Sequence, residues 1–517
     1  MRILKRLQSY CSLFVIRAML MCFVCAPVMV QAQLSGIYTI DNRLPTSGRN
    51  FNSFNAVVIA LSGGITSSVT FNVAPGSGPY IDQLQLDAFI GTSATKLLTF
   101  NGNGATLRFL STNNQARAGI KLDGTDYVTI DNLNIEALAR NNAEFGVGVH
   151  LCNDADHNII RNCTINVGIN TSWVQNNEGI VINGAEDVAT TQSPSYCDSN
   201  QIINNTITGG YTGVTMSSIP VTGYPVVLMK GNQVLNNKIS GYWNTGIYLL
   251  YNDGSLIQGN EVSRLSPANN DCSGITMFEG NINMRIIGNR LHALATDPAN
   301  TGSRTKGIEI GGSYASAGTV NTIANNLIYD FQGTGTQDGI YIDGGSYWNI
   351  YHNTISLENK SFTGASTTSG IYTSVIANLT VMNNIITVSR TNSSSNYGFN
   401  MRATIAGFSS DRNLYFISGS TGTNAVGYSG GSQITLANWQ TKTGKDLLSV
   451  SSDPAYSDPN NFVLIPTDKN IDNLGQYVGI QNDFAGAVRH NTHPDIGAYE
   501  FLTPTCVGPA VGGTTTM

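Results

Sequence analysis

The chain has 517 residues, of which 41% are hydrophobic and only 12% are charged, and its formal net charge is −6. No basic run follows the N-terminal segment, so a nucleic-acid partner is not expected, and the mildly acidic balance gives no reason to expect an anionic membrane surface. A chain of this length usually divides into several domains, but 55 glycines and a regular internal pattern predict a solenoid, whose core lengthens with every repeat.

Residues 1–32 have the three parts of a signal peptide: a basic start, an apolar core and a small-residue cleavage site. The basic residues are Arg2, Lys5 and Arg6, the apolar core runs from Ala18 to Val30, and cleavage is expected between Ala32 and Gln33. A membrane anchor is the alternative, but the apolar run is too short to span a bilayer. We therefore predict an exported protein, secreted or held at the cell surface, with no integral membrane segment in the mature chain.

Residues 33–64 predict a strand followed by a short capping helix. Leu34 to Ile40 has the character of a strand, and Asn52 or Ser53 can begin a helix. The apolar residues of that helix share one face, and they are Phe54, Val57, Val58 and Leu61. Gly63 and Gly64 end it. An amphipathic helix in front of a solenoid is suited to cover its open apolar end.

Residues 65–402 are predicted to form the repeats, with irregular coils up to residue 118. Ten glycines open the regular units, at intervals of 28 to 34 residues: Gly119, Gly148, Gly179, Gly213, Gly246, Gly274, Gly307, Gly339, Gly370 and Gly398. Within a unit the apolar residues alternate, as Ile340 and Ile342 do, which is the pattern of a strand with one buried face. The period marks a solenoid, and the spacing of two excludes a helical repeat. We predict an all-β, right-handed, single-stranded parallel β-helix with three short strands per coil.

Asparagines and cysteines of the repeats are interpreted as structural. Asparagines recur late in the units, at Asn205, Asn237, Asn260, Asn289, Asn326, Asn353 and Asn384, with Cys163 in one equivalent place. Stacked asparagines can form a hydrogen-bonded ladder along the coils. Five cysteines follow the signal peptide, at 152, 163, 197, 272 and 506, without metal-binding spacing, so we expect buried thiols and no zinc.

The period ends near residue 402. Residues 403–503 are predicted to be the C-terminal end of the solenoid, with a helical turn at Leu436 to Gln440, and residues 504–517 form a tail. The Gly-Ile and Asn-x-Ile repeats resemble those of the pectin-lyase-like parallel β-helix superfamily. The segments 483–489 and 495–501, DFAGAVR and DIGAYEF, resemble the C-terminal signature of secreted bacterial β-helix proteins. This resemblance implies the fold, but the superfamily includes lyases, hydrolases, epimerases and binding proteins. The tail, with Cys506, resembles the start of a truncated surface module.

If Ile340 and Ile342 point inward, the residues after them point outward and form exposed rows along one sheet. One cluster on these rows contains Glu309, Tyr341 and Asp343, with Arg304, Lys306 and Asp338 beside it. Glu309 and Asp343 can serve as acid and base on a glycosidic bond. Alternatively, Asp338, Asp343 and Glu309 can bind Ca²⁺. Tyr248, Tyr341 and Tyr372, with Lys306 and Arg304, are predicted sugar contacts. A merely solvated sheet face is the third interpretation.

A second cluster contains Lys121, Asp123, His150 and Asp154 on adjacent coils. His150 or Lys121 can act as the base that takes a proton beside a uronate carboxylate. The alternative is a surface histidine paired with an aspartate. The remaining histidines lie at turns or near the C-terminus and suggest no triad.

The leading hypothesis is a secreted or cell-surface, monomeric β-helix that binds polysaccharide and, if it is an enzyme, cleaves it as a lyase or glycoside hydrolase. No cofactor other than Ca²⁺ is suggested. The rival hypothesis is a non-catalytic surface adhesin or spacer, which the sparse charge favours.

Overall fold

The protein was analysed as a computed structural model, which describes residues 33–88, 91–141, 143–168, 175–187, 194–220, 226–264, 271–294, 304–358, 366–391 and 393–501. The predicted signal peptide and the whole predicted tail, including Cys506, lie outside these residues. Short strands stack into three long sheets of 15, 12 and 13 strands, here called sheets 1, 2 and 3. Sheet 2 receives one strand from each coil, so the solenoid has about twelve turns. The predicted parallel β-helix is confirmed.

The strands of each sheet follow in chain order. Sheet 1 consists of Leu34–Ile40, Asn50–Phe51, Ile65–Val73, Leu98–Asn101, Val128–Asp131, Ile159–Arg161, Gln201–Ile203, Gln233–Leu235, Leu256–Gln258, Arg285–Ile287, Ser313–Tyr314, Asn321–Ala324, Gly345–Tyr351, Ile376–Met382 and Ser409–Asp411. Sheet 2 consists of Tyr80–Ile81, Thr106–Phe109, Asn134–Ala137, Thr164–Asn166, Thr206–Thr208, Lys238–Ser240, Glu261–Ser263, Arg290–His292, Leu327–Tyr329, Thr354–Leu357, Ile385–Val388 and Leu414–Ile417. Sheet 3 consists of Leu84–Asp87, Ala118–Asp123, Gly146–Cys152, Asn177–Ile182, Thr212–Ser217, Thr245–Leu250, Cys272–Met277, Arg304–Ile310, Thr336–Ile342, Thr367–Thr373, Ser395–Met401, Thr423–Ser429 and Ser432–Gln433. Met229–Lys230 and Asn252–Asp253 form a separate pair.

The predicted register is confirmed in sheet 3. Ile308 pairs with Ile340, and Ile340 pairs with Ile371 on the next coil. Glu309 pairs in the same way with Tyr341, so residues one repeat apart in sequence are direct neighbours along the stack. The inward isoleucines are fully buried in one continuous core. The alternation of residues after the repeat glycine therefore determines which side chains of sheet 3 point into the core.

The repeated glycine is required by the space available. A Cβ atom on Gly339 would lie 2.5 Å from Ile355 Cγ2 and 2.6 Å from the carbonyl oxygen of Gly370. The equivalent Gly370 would meet Ile386 at 2.2 Å. At this position the inward side chain of sheet 2 fills the volume that a larger residue on sheet 3 would need. The glycine of the Gly-Ile pair is thus required for sheets 2 and 3 to pack closely within the coil.

The predicted asparagine ladder is confirmed. The ladder is buried and continuous from Asn205 through Asn237, Asn260, Asn289, Asn326, Asn353 and Asn384 to Asn413. In each step a backbone N–H donates to the side-chain oxygen of the next asparagine at 2.9 to 3.0 Å. Cys163 begins the ladder by donating its backbone N–H to Asn205. A second ladder, which the sequence analysis missed, joins Asn158, Asn200 and Asn232 at another corner. Cys152, Cys163, Cys197 and Cys272 are free and buried, as predicted.

The N-terminal helix runs from Phe54 to Leu61. Ser53 is its N-cap, because the Ser53 hydroxyl accepts a hydrogen bond from the backbone N–H of Ala56 at 3.1 Å. Phe54, Val57 and Leu61 are buried in the core of the first coils, whereas Val58 is only half-buried. The predicted helix is therefore present, and its apolar face packs at the start of the solenoid.

One further coil lies within 403–503, the segment predicted to be the C-terminal end of the solenoid. It adds one parallel strand to each sheet and ends with Ser429, and Ser432–Gln433 then pairs antiparallel with the last strand of sheet 3. The helix Leu436–Thr443 then covers the last coil, with Trp439 fully buried against Phe399 at a ring-centroid distance of 5.6 Å. Three short 3₁₀ helices are Asn114–Ala116, Pro459–Asn461 and Lys469–Ile471. In the described part of the chain, no helix has the length and apolar character needed to cross a membrane.

The last described residues pack along the side of the solenoid. Arg489 is buried and donates to the side-chain oxygen of Asn325 and to the carbonyl oxygen of Gly497, both at 2.9 Å. The backbone N–H of Ala498 donates to Thr354 Oγ1 at 2.9 Å. The segment resembling a C-terminal signature therefore contacts the outer surface of sheet 2 and its corner.

Candidate functional site

The predicted outward rows exist, but the prediction that they are exposed is wrong for most positions. In the predicted first row, from Lys121 to Asn400, each residue pairs with the next member of the row on the adjacent strand. The buried members are Lys121, His150, Val181, Thr215, Thr276 and Asn400, and the half-buried members are Tyr248, Glu309, Tyr341 and Tyr372. On the early coils Val181 packs with Ala118 and Val147 in an apolar cluster on this outer face. Valine at an outward position was the sequence signal for a covered face.

Lys121 and His150 lie side by side, but neither is accessible. Lys121 Nζ lies 3.0 Å from Asp123 Oδ2 and 3.2 Å from Glu186 Oε2. Burial lowers the pKa of Lys121, but these two carboxylates outweigh it and raise the pKa overall. His150 Nε2 lies 2.9 Å from the side-chain oxygen of Asn183.

His150 is fully buried, and burial lowers its pKa to about 4, so its imidazole is neutral at pH 7. Asp154, the fourth member of the predicted cluster, is exposed at a turn. The geometry does not place His150 or Lys121 where a polymer can reach them. Their predicted role as catalytic base therefore lacks structural support.

A third outward row, which the sequence analysis missed, consists of the residues before the repeat glycines. Lys306 pairs with Asp338, and Asp338 pairs with Ser369. Glu178 belongs to the same row and is buried; its carboxylate accepts a hydrogen bond from the backbone N–H of Thr212 at 2.9 Å. Burial raises the pKa of Glu178 to about 8. The kink at each glycine brings this row onto the same face as the first row.

Arg304, Tyr341 and Tyr372 form one contact group on coils that follow one another. The Tyr341 and Tyr372 rings stack with centroids 4.9 Å apart and an angle of 13° between their planes. The Arg304 guanidinium carbon lies 4.1 Å from the Tyr341 centroid and 4.5 Å from the Tyr372 centroid. Arg304 Nε also donates to Asp338 Oδ2 at 2.7 Å. Burial raises the pKa of Asp338, and the charge of Arg304 opposes this effect. Asp338 thus holds the cation against the tyrosines.

Glu309 is engaged by three donors. Lys306 Nζ lies 2.6 Å from Glu309 Oε1, and Ser273 Oγ donates to Glu309 Oε2 at 2.6 Å. Thr276 Oγ1 also lies 3.3 Å from Glu309 Oε2. Both oxygens of the predicted catalytic carboxylate therefore have partners within the protein. This arrangement neutralises a half-buried charge and does not hold the carboxylate free for acid–base chemistry.

Asp343 borders the contact group of Arg304, Tyr341 and Tyr372, whereas Tyr248 lies apart from it. Asp343 follows its strand and is exposed, and its carboxylate interacts with the Tyr341 hydroxyl. Tyr248 is separated from Tyr341 along the row by Thr276 and Glu309, and it packs against the edge of Phe278 at 5.8 Å. Burial raises the pKa of Tyr248 to about 12. Of the three predicted sugar-contacting tyrosines, the fold brings only two together.

The three predicted Ca²⁺ ligands have different partners. Asp338 is paired with Arg304 and Glu309 with Lys306, which leaves Asp343 as the one exposed carboxylate of the three. Within the residues that the structure describes, no three histidine, cysteine, aspartate or glutamate side chains are grouped to hold a metal ion. Binding of Ca²⁺ by these residues stays a prediction.

The half-exposed end of sheet 3 carries an aromatic–cation strip, defined here as Arg304, Tyr341, Tyr372, Arg402 and Tyr428. Tyr428 extends the first row beyond Asn400, and the Arg402 guanidinium carbon lies 4.6 Å from the Tyr428 centroid. The strip spans the coils from residue 304 to residue 428, and at about 4.8 Å per coil its length is roughly 20 Å. Its rings and guanidinium groups present flat faces and hydrogen-bond donors on a linear surface.

The best-formed cavities lie elsewhere. Their volumes are about 310, 520, 440 and 470 Å³, and none is lined by Glu309, Tyr341, His150 or Lys121. Two flank the N-terminal helix and two lie near the C-terminal end of the solenoid. None of these four cavities is lined by a residue of the aromatic–cation strip.

Comparisons with known proteins found no matching family model and no matching curated protein. Among solved structures, the Dettilon tailspike protein is 12% identical, with a TM-score of 0.44 over 81% of this chain and 69% of that chain. Pectate lyase Pel9A is 13% identical, with a TM-score of 0.39 over 91% of this chain and 98% of that chain. PfbA, a surface adhesin of Streptococcus pneumoniae, is 13% identical, with a TM-score of 0.39 over 73% and 89%. These values assign no activity to the chain.

Proposed function

We propose that this protein is a secreted or cell-surface β-helix that binds polysaccharide along the aromatic–cation strip. The observation that carries the proposal is the stacked, half-exposed pair of Tyr341 and Tyr372 on adjacent coils. Aromatic rings bind the apolar faces of sugars and bury a large area at little cost in side-chain entropy. A linear polymer matches a linear surface on which rings repeat from coil to coil.

Charges beside the rings supply the polar part of such a site. Arg304 is ordered by Asp338 and by contact with both rings, so its guanidinium is held in place before a ligand arrives. Arg402 and Asp343 are exposed at the ends of strands two coils apart, on either side of the coil that carries Tyr372, and can bind hydroxyl groups. Pre-ordered donors reduce the entropy cost of binding. Binding is favoured over cleavage, because both Glu309 oxygens already accept hydrogen bonds or a salt bridge.

A second candidate function is a non-catalytic adhesin or spacer at the cell surface. The observation that favours it is the covered outer face of the early coils, where Lys121 and His150 are buried among their own partners. On those coils the outward side chains contact one another. The two functions differ in whether an isolated glycan binds.

The test is binding of the mature protein to a panel of polysaccharides, with reducing ends and unsaturated-uronate absorbance measured in parallel. Tyr341→Ala and Tyr372→Ala should each weaken binding of the recognised glycan by about fivefold, since one aromatic contact contributes about 1 kcal/mol. Tyr314→Ala is the matched control, because Tyr314 is 65% exposed on sheet 1. Equal losses in all three variants would contradict the strip as the site.

The assay also separates the remaining hypotheses. Product formation that Glu309→Gln and Asp343→Asn abolish would establish cleavage and restore those residues as catalytic. Reducing ends alone would indicate hydrolysis, and unsaturated uronate would indicate elimination. Failure of every glycan to bind would overturn the binding proposal in favour of the spacer.

A further inference from the structure

A cavity of about 520 Å³ lies at the end of sheet 2, on a different face from the aromatic–cation strip. Three adjacent strands, Thr354–Leu357, Ile385–Val388 and Leu414–Ile417, end at its floor. The C-terminal segment that contains Asp453 and Tyr456 forms its opposite wall. The volume is within the range of about 300 to 1,000 Å³ typical of small-ligand pockets, and it can hold a sugar unit.

The lining combines hydroxyl groups with aromatic rings. Ser389 and Ser418 contribute hydroxyls from successive coils, and Phe416 and Tyr456 contribute rings. Tyr456 is buried at its base, whereas Phe416 is half-buried and presents part of its ring to the cavity. Hydroxyls that donate and accept, together with an apolar ring face, are suited to a polyhydroxylated ligand with one apolar side.

The charge of the described lining is negative. Among the described residues that line the cavity, the charged ones are Glu358 and Asp453, and none is a lysine, arginine or histidine. Within the described residues neither carboxylate forms an ion pair. Both charges act on the Tyr456 hydroxyl, since each raises the pKa of that group together with burial. The two carboxylates, although far apart in sequence, therefore line the same cavity as Tyr456.

Both carboxylates are held in place by hydrogen bonds. Glu358 Oε1 accepts from Ser356 Oγ at 2.8 Å and from Thr387 Oγ1 at 3.2 Å. Asp453 Oδ1 accepts from the backbone N–H of Ala455 at 2.8 Å. Donors of this kind favour the ionised form of a carboxylate. The cavity thus holds two fixed negative charges beside two aromatic faces, and each of these features attracts a cation.

We propose that this cavity binds an amino sugar that carries a free ammonium group. The ammonium group is bound between Glu358 and Asp453, the sugar hydroxyls are bound by Ser389 and Ser418, and the apolar face of the ring packs on Phe416. This site is separate from the aromatic–cation strip and does not depend on the function proposed for it. An acidic sugar is excluded by repulsion from the two carboxylates, and a neutral sugar lacks the charge that they balance.

The experiment uses the mature chain and calorimetric titration with three soluble probes: the glucosamine trimer with free amines, its fully N-acetylated form, and the galacturonate trimer. The glucosamine trimer should bind in mildly acidic buffer, the N-acetylated trimer at least tenfold more weakly, and the galacturonate trimer not at all. The comparison isolates charge, because the first two probes share one carbohydrate backbone. Equal affinity for these two probes, or no binding of the glucosamine trimer, would overturn the proposal.

Two variants locate the site. Glu358→Gln and Asp453→Asn keep the size of each side chain and remove its charge, so each should weaken glucosamine-trimer binding by about tenfold. Asp453 is exposed, so its variant keeps the test valid if the half-buried Glu358→Gln fails to fold. Asp87→Asn, at an exposed carboxylate on the first strand of sheet 3 and far from the cavity, should leave the affinity unchanged. Undiminished binding by Glu358→Gln and Asp453→Asn would refute the assignment.

Discussion

The backbone N–H of Asn353 donates to the side-chain oxygen of Asn384 at 2.9 Å, and this bond joins two coils at a buried corner. Asn353 also accepts at its own side-chain oxygen from the backbone and the side chain of Asn326, both at 2.9 Å. Each asparagine therefore satisfies groups on the coil before it and on the coil after it. The members of the ladder therefore depend on one another. Loss of one asparagine side chain leaves hydrogen-bond donors of the neighbouring coil without partners.

Asn353→Ala is expected to destabilise the fold by about 3 kcal/mol, because it leaves two buried donors of Asn326 unsatisfied and each costs about 1 to 3 kcal/mol. Chemical denaturation measures the difference. Asn349→Ala is the control, since Asn349 is a half-buried asparagine on the strand just before the ladder position and should change stability by less than about 0.5 kcal/mol. Equal effects of the two substitutions would contradict the structural role of the ladder.

Gly339→Ala tests the packing explanation of the repeat glycine. The added methyl would lie 2.5 Å from Ile355 Cγ2 and 2.6 Å from a backbone oxygen, so one of the two coils must shift, at a cost of about 1 to 3 kcal/mol. Gly318→Ala is the matched control, because a Cβ at Gly318 meets no atom within 4 Å. Thermal unfolding should show a lowered midpoint for the first variant alone. If Gly339→Ala left the unfolding midpoint unchanged, the coil would accommodate the added methyl group without strain.

The buried His150 predicts a loss of stability in acid. Its pKa is about 4 in the folded protein against 6.5 when unfolded, so between these values the unfolded chain binds the proton and the free energy of unfolding falls as the pH falls. The loss is on the order of 3 kcal/mol across this window. His150→Gln should reduce it, as measured by denaturation at a series of pH values. His157→Asn, at an exposed histidine, should leave the acid dependence as it is.

Arg489→Gln is expected to loosen the C-terminal segment from the side of the solenoid. The buried guanidinium holds Asn325 and Gly497 together, and its removal leaves buried acceptors unsatisfied at a cost of about 2 kcal/mol. Hydrogen exchange of residues 474–501 should accelerate, while exchange in the sheets stays slow. Arg285→Gln, at an exposed arginine on sheet 1, provides the control. Simultaneous acceleration in both regions would show that the segment and the solenoid unfold as one unit.

The fold was predictable because its determinants are local and repeated. Gly339, Ile340 and Ile342 specify within a few residues which side chain points inward, and a near-constant period places each repeat on the one before it. Ser53 and the apolar face behind it specified the N-terminal helix in the same way. The last coil, within 403–503, lacks the Gly-Ile pair, so its strands were not predicted one by one, although they pair with the preceding coil.

The candidate site was only partly predictable. The adjacency of Glu309 and Tyr341 followed from the period, and so did the stacking of Tyr341 on Tyr372. The sequence did not show that Lys306 and Ser273 contact the Glu309 carboxylate. Both residues belong to the third row, which lies on the same face as the first row although simple alternation does not predict it. Exposure was predicted wrongly for His150 and Lys121, since alternation tells which side of a sheet a residue lies on and not what covers that side.

By itself, the sequence determined a parallel β-helix, its register and its asparagine ladder, because these depend on alternation and spacing within one repeat. Only the tertiary structure decided which outward side chains are accessible, which charges neutralise one another, and how the C-terminal segment closes a cavity between Glu358 and Asp453. The physical reason is that burial and pairing depend on segments distant in the chain, whose approach the repeat does not encode.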